Sequence, residues 1–548
     1  MAWGRALVLA LLWPLQASAV VTWDELHALV QVGDVAPVEA ALQAAVDADK
    51  VAAVEPDEQR KLFTLFTITE PEVEDFLDRW RNERPQSALA MTAMGWHLWK
   101  RGWNARGEAT VDMVYPDAMK VFMDDHTQAY DLAVKAVAAD PALLAASDLM
   151  LRLTATFGNF EVVPGELERV MTRHPNRGSL IRVMKSLAPQ WGGSPAQVKL
   201  LCERYAPMVK VVPGYDAQVC AMDAVYAGGV WGGDQRDEAH QLLQLTPNPV
   251  LDYARLDDAL AGLGSPLQRV KLLEGIKSLR ALTLAEASAL DNARAEIAGG
   301  LNTQDEWKLA LAPAVEVLRK DADADPYDPI AVTSYVAVRQ DAADNLGMDL
   351  QADDLIRRLQ RLLARVPYAE RAWRSLADLT SRDVPVGTVD LDMMARVEPY
   401  YINAVVYSNY DPDMLASLVW GKYWAIMDPT NILKTRDITG LSVADRQRLD
   451  EVVHCPMLRQ MTIMNVVCHN HGQDLASCSG FPADPEMILN QLREVVFQGS
   501  CHAEAEINRD PAALAYSPIK ITFPPRALTL PDLGMPLYGG ANLGGISP

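Results

Sequence analysis

Proline junctions cut this chain into helix-sized pieces, and that punctuation confines it to helical architectures. Between the junctions apolar residues recur at spacings of three and four, the repeat of one helix face, and long alternating β-branched runs are scarce. Leu355, Leu359, Leu362 and Leu363 form one such stripe, and Ala129, Ala133 and Ala136 form a stripe of small residues. The junctions are Asp140-Pro141, His174-Pro175, Asp325-Pro326, Val366-Pro367 and Glu398-Pro399. The residue before a proline is biased out of the helical region, so each pair marks an expected helix boundary. Pro141 and Pro175 lie 34 residues apart, and Pro367 and Pro399 lie 32 apart.

That spacing resembles tetratricopeptide repeats, helical hairpins with a period of 34 residues. Ala129, Ala133 and Ala136 precede Pro141 by 12, 8 and 5 positions, and Leu355, Leu359 and Leu362 precede Pro367 likewise. Such repeats put small or apolar residues there, so that two helices approach closely. After Pro367, Trp373, Leu376 and Ala377 fall where the repeats place Trp, Leu and a small residue, whereas after Pro141 the positions hold Ser147, Met150 and Leu151, a poorer fit. The alternative is an ordinary bundle with proline-terminated helices. Residues 85–245 also resemble a bacterial family of unknown function with a tetratricopeptide-like domain. The resemblance rests on Trp103-Asn104-Ala105-Arg106-Gly107, within a Trp-rich segment from Gly95, and on Pro189-Gln190-Trp191-Gly192-Gly193-Ser194, echoed by Trp231-Gly232-Gly233-Asp234. It implies a helical fold and transfers no activity.

The expected fold is therefore all-α: tetratricopeptide-like helical hairpins forming a short solenoid, a disulfide-stapled helical C-terminal region and an extended tail. The expected divisions are a signal peptide over 1–19, a helical-repeat domain over 20–245, a second repeat region over 246–400, a Cys/His-containing helical region over 401–508 and a Pro/Gly-rich tail over 509–548. Within the tail, Ile519 to Phe523 alternates like a short strand, which either pairs with a partner's sheet edge or lies along its own domain.

The first residues carry one early arginine, an apolar run from Ala6 to Leu15 and an Ala-x-Ala site ending at Ala19, the pattern of a cleavable secretory signal. A periplasmic or secreted location follows. The later sequence has no run of 18 apolar residues, so no transmembrane segment is expected in the mature chain. Among its 548 residues, 72 Asp and Glu exceed 50 Lys and Arg, for a formal net charge of -22. That balance argues against nucleic acid, whose phosphates need clustered cations. It favours a neutral or basic protein or peptide partner.

Three constellations could carry chemistry. Trp96, Trp99 and Trp103 share one helical face with Lys100, Arg101 and Arg106 interleaved, which gives either a binding groove or a core stripe with Arg106 holding a loop. Trp191 joins them as a binding candidate. The cysteines form two groups, Cys202 with Cys220 and then Cys455, Cys468, Cys478 and Cys501, and in an exported chain all six are disulfide candidates. His454, His469, His471 and His502 accompany the late group. Zinc favours these residue types, but there is no Cys-x-x-Cys or His-x-x-x-His spacing, so disulfides are the better reading and His469 and His471 are the first alternative metal ligands. Third, Asp321, Asp323 and Asp325 open like a calcium loop, which then fails because Pro326 and Val332 stand where glycine and glutamate are needed.

Nucleophile-elbow, zinc-protease, P-loop and dinucleotide motifs are absent. The sequence thus points to a protein- or peptide-binding scaffold in the bacterial envelope with no cofactor. The alternative is an exported, metal-dependent enzyme with a site near His454, His469 and His471. Protein isolated from its own compartment is expected to begin at Val20 by intact mass, and to resist thiol alkylation until reduced. A free thiol in the unreduced protein would contradict this.

Overall fold

A computed structural model describes residues 21–51, 58–107, 111–156, 163–187, 194–210, 212–228, 250, 266–283, 286–287, 289–290, 293–294, 303–382, 390–428, 431–435, 440–470, 475, 485, 487–488, 490, 492 and 516–521. The described elements are helical, apart from a short antiparallel ribbon of Met427–Asp428 with Asn431–Thr435. The chain divides into two compact units, one of residues 1–101 and 124–310, the other of residues 102–123 and 311–548.

In the first unit, α1 (Trp23–Val32) opens on a capping box. The Thr22 hydroxyl accepts from the Glu25 N–H at 3.3 Å, and the Glu25 carboxylate accepts from the Thr22 N–H at 2.8 Å. Gly33 ends the helix in the left-handed region at φ 82°, where a side chain would be strained. α1 packs on α2 (Val35–Val51), α3 (Glu58–Phe63) and α4 (Pro71–Glu83). Next come α5 (Ala88–Arg106), α6 (Pro116–Ala139) and α7 (Leu144–Thr156). Ala129, Ala133 and Ala136 of α6 are fully buried. Gly95 of α5 allows the close approach, since a Cβ there would stand 2.6 Å from Leu149 Cδ2 and 3.5 Å from the Ala129 carbonyl oxygen.

Farther along, α7 packs on α8 (Val163–Arg173) and α9 (Arg177–Ser186), and α9 on α10 (Pro195–Tyr205) and α11 (Ala217–Gly228). Ser194 caps α10, its hydroxyl accepting from the Gln197 N–H. The Cys202–Cys220 disulfide joins α10 to α11, closing a separation of 18 residues. Cys455 and Cys468 are disulfide-bonded as well.

In the second unit, α12 (Pro329–Leu346) starts with Asp328 accepting from the N–H groups of Ile330 and Ala331, with Pro329 in the first turn. α13 (Ala352–Arg365) buries Leu355, Ile356, Leu359, Leu362 and Leu363 as one stripe. α14 (Glu370–Ser381) follows Pro367 and buries Trp373, Leu376 and Ala377. The Trp373 Nε1–H donates to the Pro367 carbonyl at 2.7 Å while its ring stacks on Tyr400. α15 (Leu391–Tyr407), α16 (Pro412–Ile426) and α17 (Cys455–Asn470) complete the packed helices, each against its predecessor.

Four of the proline junctions end helices, as the backbone bias of the residue before each proline predicts. Glu398-Pro399 does not: α15 runs through Pro399, and Pro313 likewise lies inside the helix Thr303–Ala324. An internal proline removes one hydrogen bond and costs about 3 kcal/mol. In α15 a long buried face offsets it, with Val397, Tyr400, Ile402, Asn403, Ala404, Val405 and Val406 all buried. The interval from Pro367 to Pro399 is therefore not a distance between two helix ends. The expected signal sequence, Trp191, Trp231 to Asp234, Cys478, Cys501, His471 and His502 lie outside the described residues. Among the described residues, no helix is long and apolar enough to cross a membrane.

His97 of α5 is fully buried in the first unit. Burial first, then the Arg101 charge, push its pKa down to about 4 from the usual 6.5. The unfolded chain therefore binds a proton that the folded one refuses, and stability falls as pH drops below 6.5. Between pH 6.5 and 5 this contributes about 2 kcal/mol of lost stability. Urea unfolding across that range is expected to show the slope, and His97→Leu to flatten it whatever the variant's stability at neutral pH.

Candidate functional site

The first unit holds a buried charge cluster at one end of α7. Asp148 is fully buried. It accepts from Arg60 Nε at 2.6 Å and from the Ser179 hydroxyl at 2.5 Å, and Arg182 Nη1 lies 3.2 Å away. Arg60 Nη2 also donates to Asn176 Oδ1 at 2.5 Å and to Ser179 Oγ at 3.0 Å. Burial pushes the Asp148 carboxyl up, but Arg182, Arg60 and the hydroxyl of Ser179 together hold it below the usual carboxylate range. Gly178 is needed here, because a Cβ would stand 2.8 Å from Arg60 Nη1 and 3.1 Å from Arg182 Nη1.

One turn beyond Asp148, Arg152 lays its guanidinium 4.3 Å from the Trp99 ring centroid and 5.3 Å from that of Trp96. Burial, reinforced by Arg182, lowers its pKa to about 10. Trp96 is buried and donates from Nε1 to the Ala145 carbonyl at 3.1 Å; Trp99 is half-buried, edge-on to Trp96. Arg101 grips Asp125 through Nε and Nη2 at 2.8 and 2.7 Å and reaches Glu74 at 2.5 Å.

Trp103 and Arg106 belong to the second unit. Trp103 packs edge-on to Phe122 at 5.0 Å, Arg106 lies over both rings, and its Nη1 donates to the Gly107 carbonyl at 3.0 Å. Burial lowers the Arg106 pKa. Trp96 and Trp99 therefore share one cation, Arg152, while Trp103 has another, Arg106.

Two further arrangements in the second unit have no local sequence signature. Tyr115, Tyr368 and Tyr407 come together from three separate segments. Tyr407 stands perpendicular to the other two at 5.3 and 5.6 Å, and Tyr115 and Tyr368 are near-parallel at 6.2 Å. All three are half-buried, and burial, with Asp117 acting the same way, raises their pKa values, so the phenols stay neutral. Beside them, residues 516–521 lie non-helical against α15 and α17. Asn403, fully buried in α15, donates from Nδ2 to the Ile519 carbonyl at 2.9 Å and accepts from the Ile519 N–H at 2.8 Å. The Tyr410 hydroxyl donates to the Tyr516 carbonyl at 3.0 Å and accepts from the Tyr516 N–H at 2.6 Å. The Arg459 guanidinium lies 4.2 Å from the Tyr516 ring centroid. Of that expected strand, the described residues 519–521 form none and lie along their own chain.

In the Cys/His region, His454 is buried at the end of a π-helical turn, with Nδ1 2.8 Å from Asp450 Oδ1, and His469 is exposed. Among the described residues, no group of three His, Cys, Asp or Glu is placed to hold a metal ion. Asp323 pairs with Arg319 and Arg358, and Asp325 caps the Tyr327 N–H. The chain matches no protein-family model and no curated protein.

Asp148→Asn would leave the Arg60 and Arg182 charges buried without their carboxylate. A loss of about 3–5 kcal/mol is expected by urea denaturation at pH 7, the range for breaking one partner out of a buried pair. A loss under 1 kcal/mol would mean the cluster is solvated and carries little.

Proposed function

We propose that the protein is an exported helical-repeat scaffold that binds a protein or peptide segment in the bacterial envelope. Packing order is the observation that carries this reading. In the first unit α7 packs on α8 and α9, and α9 on α10 and α11; in the second, α12 packs on α13 and α14. Contact with the first and second neighbour in chain order is how stacked hairpins bury a core between repeats. The buried Trp373, Leu376 and Ala377 support a tetratricopeptide-like arrangement around Pro367. Membership of the bacterial family that the Trp-Gly-Gly-Ser and Trp-x-x-Arg-Gly elements resemble is part of the same proposal.

A row of stacked helices presents a continuous face to an extended partner. The half-buried tyrosines at 115, 368 and 407 give such a face aromatic surface with free rotation of few bonds, which favours peptide contact. With a net charge of -22 the partner segment is neutral or basic, and association weakens with salt.

Photo-crosslinking in the native compartment tests this. A crosslinkable residue at Tyr368 is expected to give a discrete protein adduct that fades as salt rises. The same residue at Val443, exposed to 77% in the second unit, is expected to give none. No adduct at Tyr368, or the same adducts at both positions, would overturn the scaffold reading.

A further inference from the structure

We propose that the surface under residues 516–521 is a docking groove for an extended peptide backbone. This segment fills it in cis, and a partner segment binds by displacing it. The proposal rests on the scaffold reading and specifies what the scaffold recognises.

The clamps are the first argument. Twice, one side chain takes both main-chain groups of a single residue: Tyr410 those of Tyr516, and Asn403 those of Ile519. A residue turns its N–H and C=O to the same side when its backbone is extended, as in the paired residues of an antiparallel ladder. The helical surface thus does with two side chains what a sheet edge does with its backbone. Such recognition reads main chain and tolerates varied side chains.

The second argument is that the clamps are built for an occupant. Asn403 is fully buried. With residues 516–521 in place its carboxamide is satisfied by the Ile519 main chain, and a buried amide without such partners costs about 1–3 kcal/mol. Tyr410 and Asn409 sit at φ 65° and 51°, left-handed backbone that is uncommon for a tyrosine and is kept where surrounding contacts hold it. At that turn the phenol reaches Tyr516.

The third argument is that the occupant is held lightly. Ser517, Pro518 and Lys520 are exposed, and Ile519 is 36% exposed. Tyr516, under Arg459, and Ile521, against the helices' apolar cluster, are its more buried side chains. A short non-helical segment with four of its six residues exposed opens far below the global unfolding energy. Tethering offsets this, because a cis segment acts at an effective concentration on the order of millimolar.

The geometry defines the partner. It is an extended segment with an aromatic residue for Arg459 and an aliphatic residue five positions later for the apolar cluster. Neither clamped position can be proline, since each donates its N–H; proline between them is tolerated, as at Pro518.

The test uses the full chain and a fluorescent peptide with the sequence of residues 514–523. Tyr516→Ala with Ile519→Pro releases the segment while leaving the groove residues intact. Fluorescence anisotropy is expected to show the released chain binding the peptide about tenfold or more tighter than the unaltered chain, as removal of a tethered competitor requires. Adding Asn403→Ala is expected to abolish that binding, and a peptide with proline at the Ile519 position is expected not to bind. No binding by a released chain that keeps the parent's circular dichroism and cooperative melting would overturn the proposal, as would binding that survives Asn403→Ala. Amide exchange on the unaltered chain covers a released chain that fails to fold. There the Tyr516 and Ile519 amides are expected to exchange about a hundredfold faster than those of 400–406, and equal protection would overturn displacement. A discrete Tyr368 adduct without peptide exchange would remove this proposal alone and leave the scaffold reading in place.

Discussion

One fully buried carboxylate sets the terms for the first unit. Asp148 stands between Arg60 from α3 and Arg182 from α9, while its own helix, α7, supplies the apolar contacts to both neighbours. In a poorly polarisable interior neither the carboxylate nor the guanidiniums could be left alone, because each would carry the full cost of desolvation. Only an arrangement that brings the three helices together satisfies all of them. Apolar faces tolerate small slides between helices; a carboxylate gripped by two guanidiniums and a hydroxyl does not. The cluster therefore fixes register where hydrophobic burial fixes only proximity. Arg152, one turn on, spreads its charge over the Trp96 and Trp99 faces and extends the cationic side of the cluster.

That division of labour separates what the sequence discloses from what it hides. The stripes at Ala129, Ala133 and Ala136 and at Leu355, Leu359 and Leu362 are legible because a helix places them on one face by spacing alone, and all six are buried. Proline junctions at 141, 175, 326 and 367 are legible because the constraint acts on the adjacent residue. Pro399 misleads for the same reason: the local penalty is real, but tertiary burial along α15 exceeds it. The Trp96, Trp99 and Trp103 stripe tells which residues share a face and not what that face meets; the facing residues, Arg152 and Phe122, come from other helices.

Nothing local could have revealed the polar sites. Arg60 and Asp148 are 88 positions apart, and Asn403 and Ile519 are 116 apart. Asparagine, tyrosine and arginine occur throughout this acidic chain, so each is unremarkable until the fold supplies its partner. Even Tyr410 offers only a weak signal, an Asn-Tyr pair at the end of an apolar helix, where asparagine often takes the left-handed conformation.

The chemistry of the clamp explains why those residue types are used. An α-helix spends its own N–H and C=O groups internally, so a helical surface has no edge on which a strand could pair. To hold an extended segment it must present a donor and an acceptor side by side on a side chain. The carboxamide of Asn403 has that pair in one plane, matched to one peptide residue, and its short stem in a packed helix loses little freedom on binding. A phenol such as that of Tyr410 has both functions on one oxygen and sits on a rigid ring. Lysine or glutamate would offer only half of the match and bring a charge to be desolvated. A helical surface that holds extended backbone is thus driven toward amides and phenols, which is the combination that α15 and the turn after it present to residues 516–521.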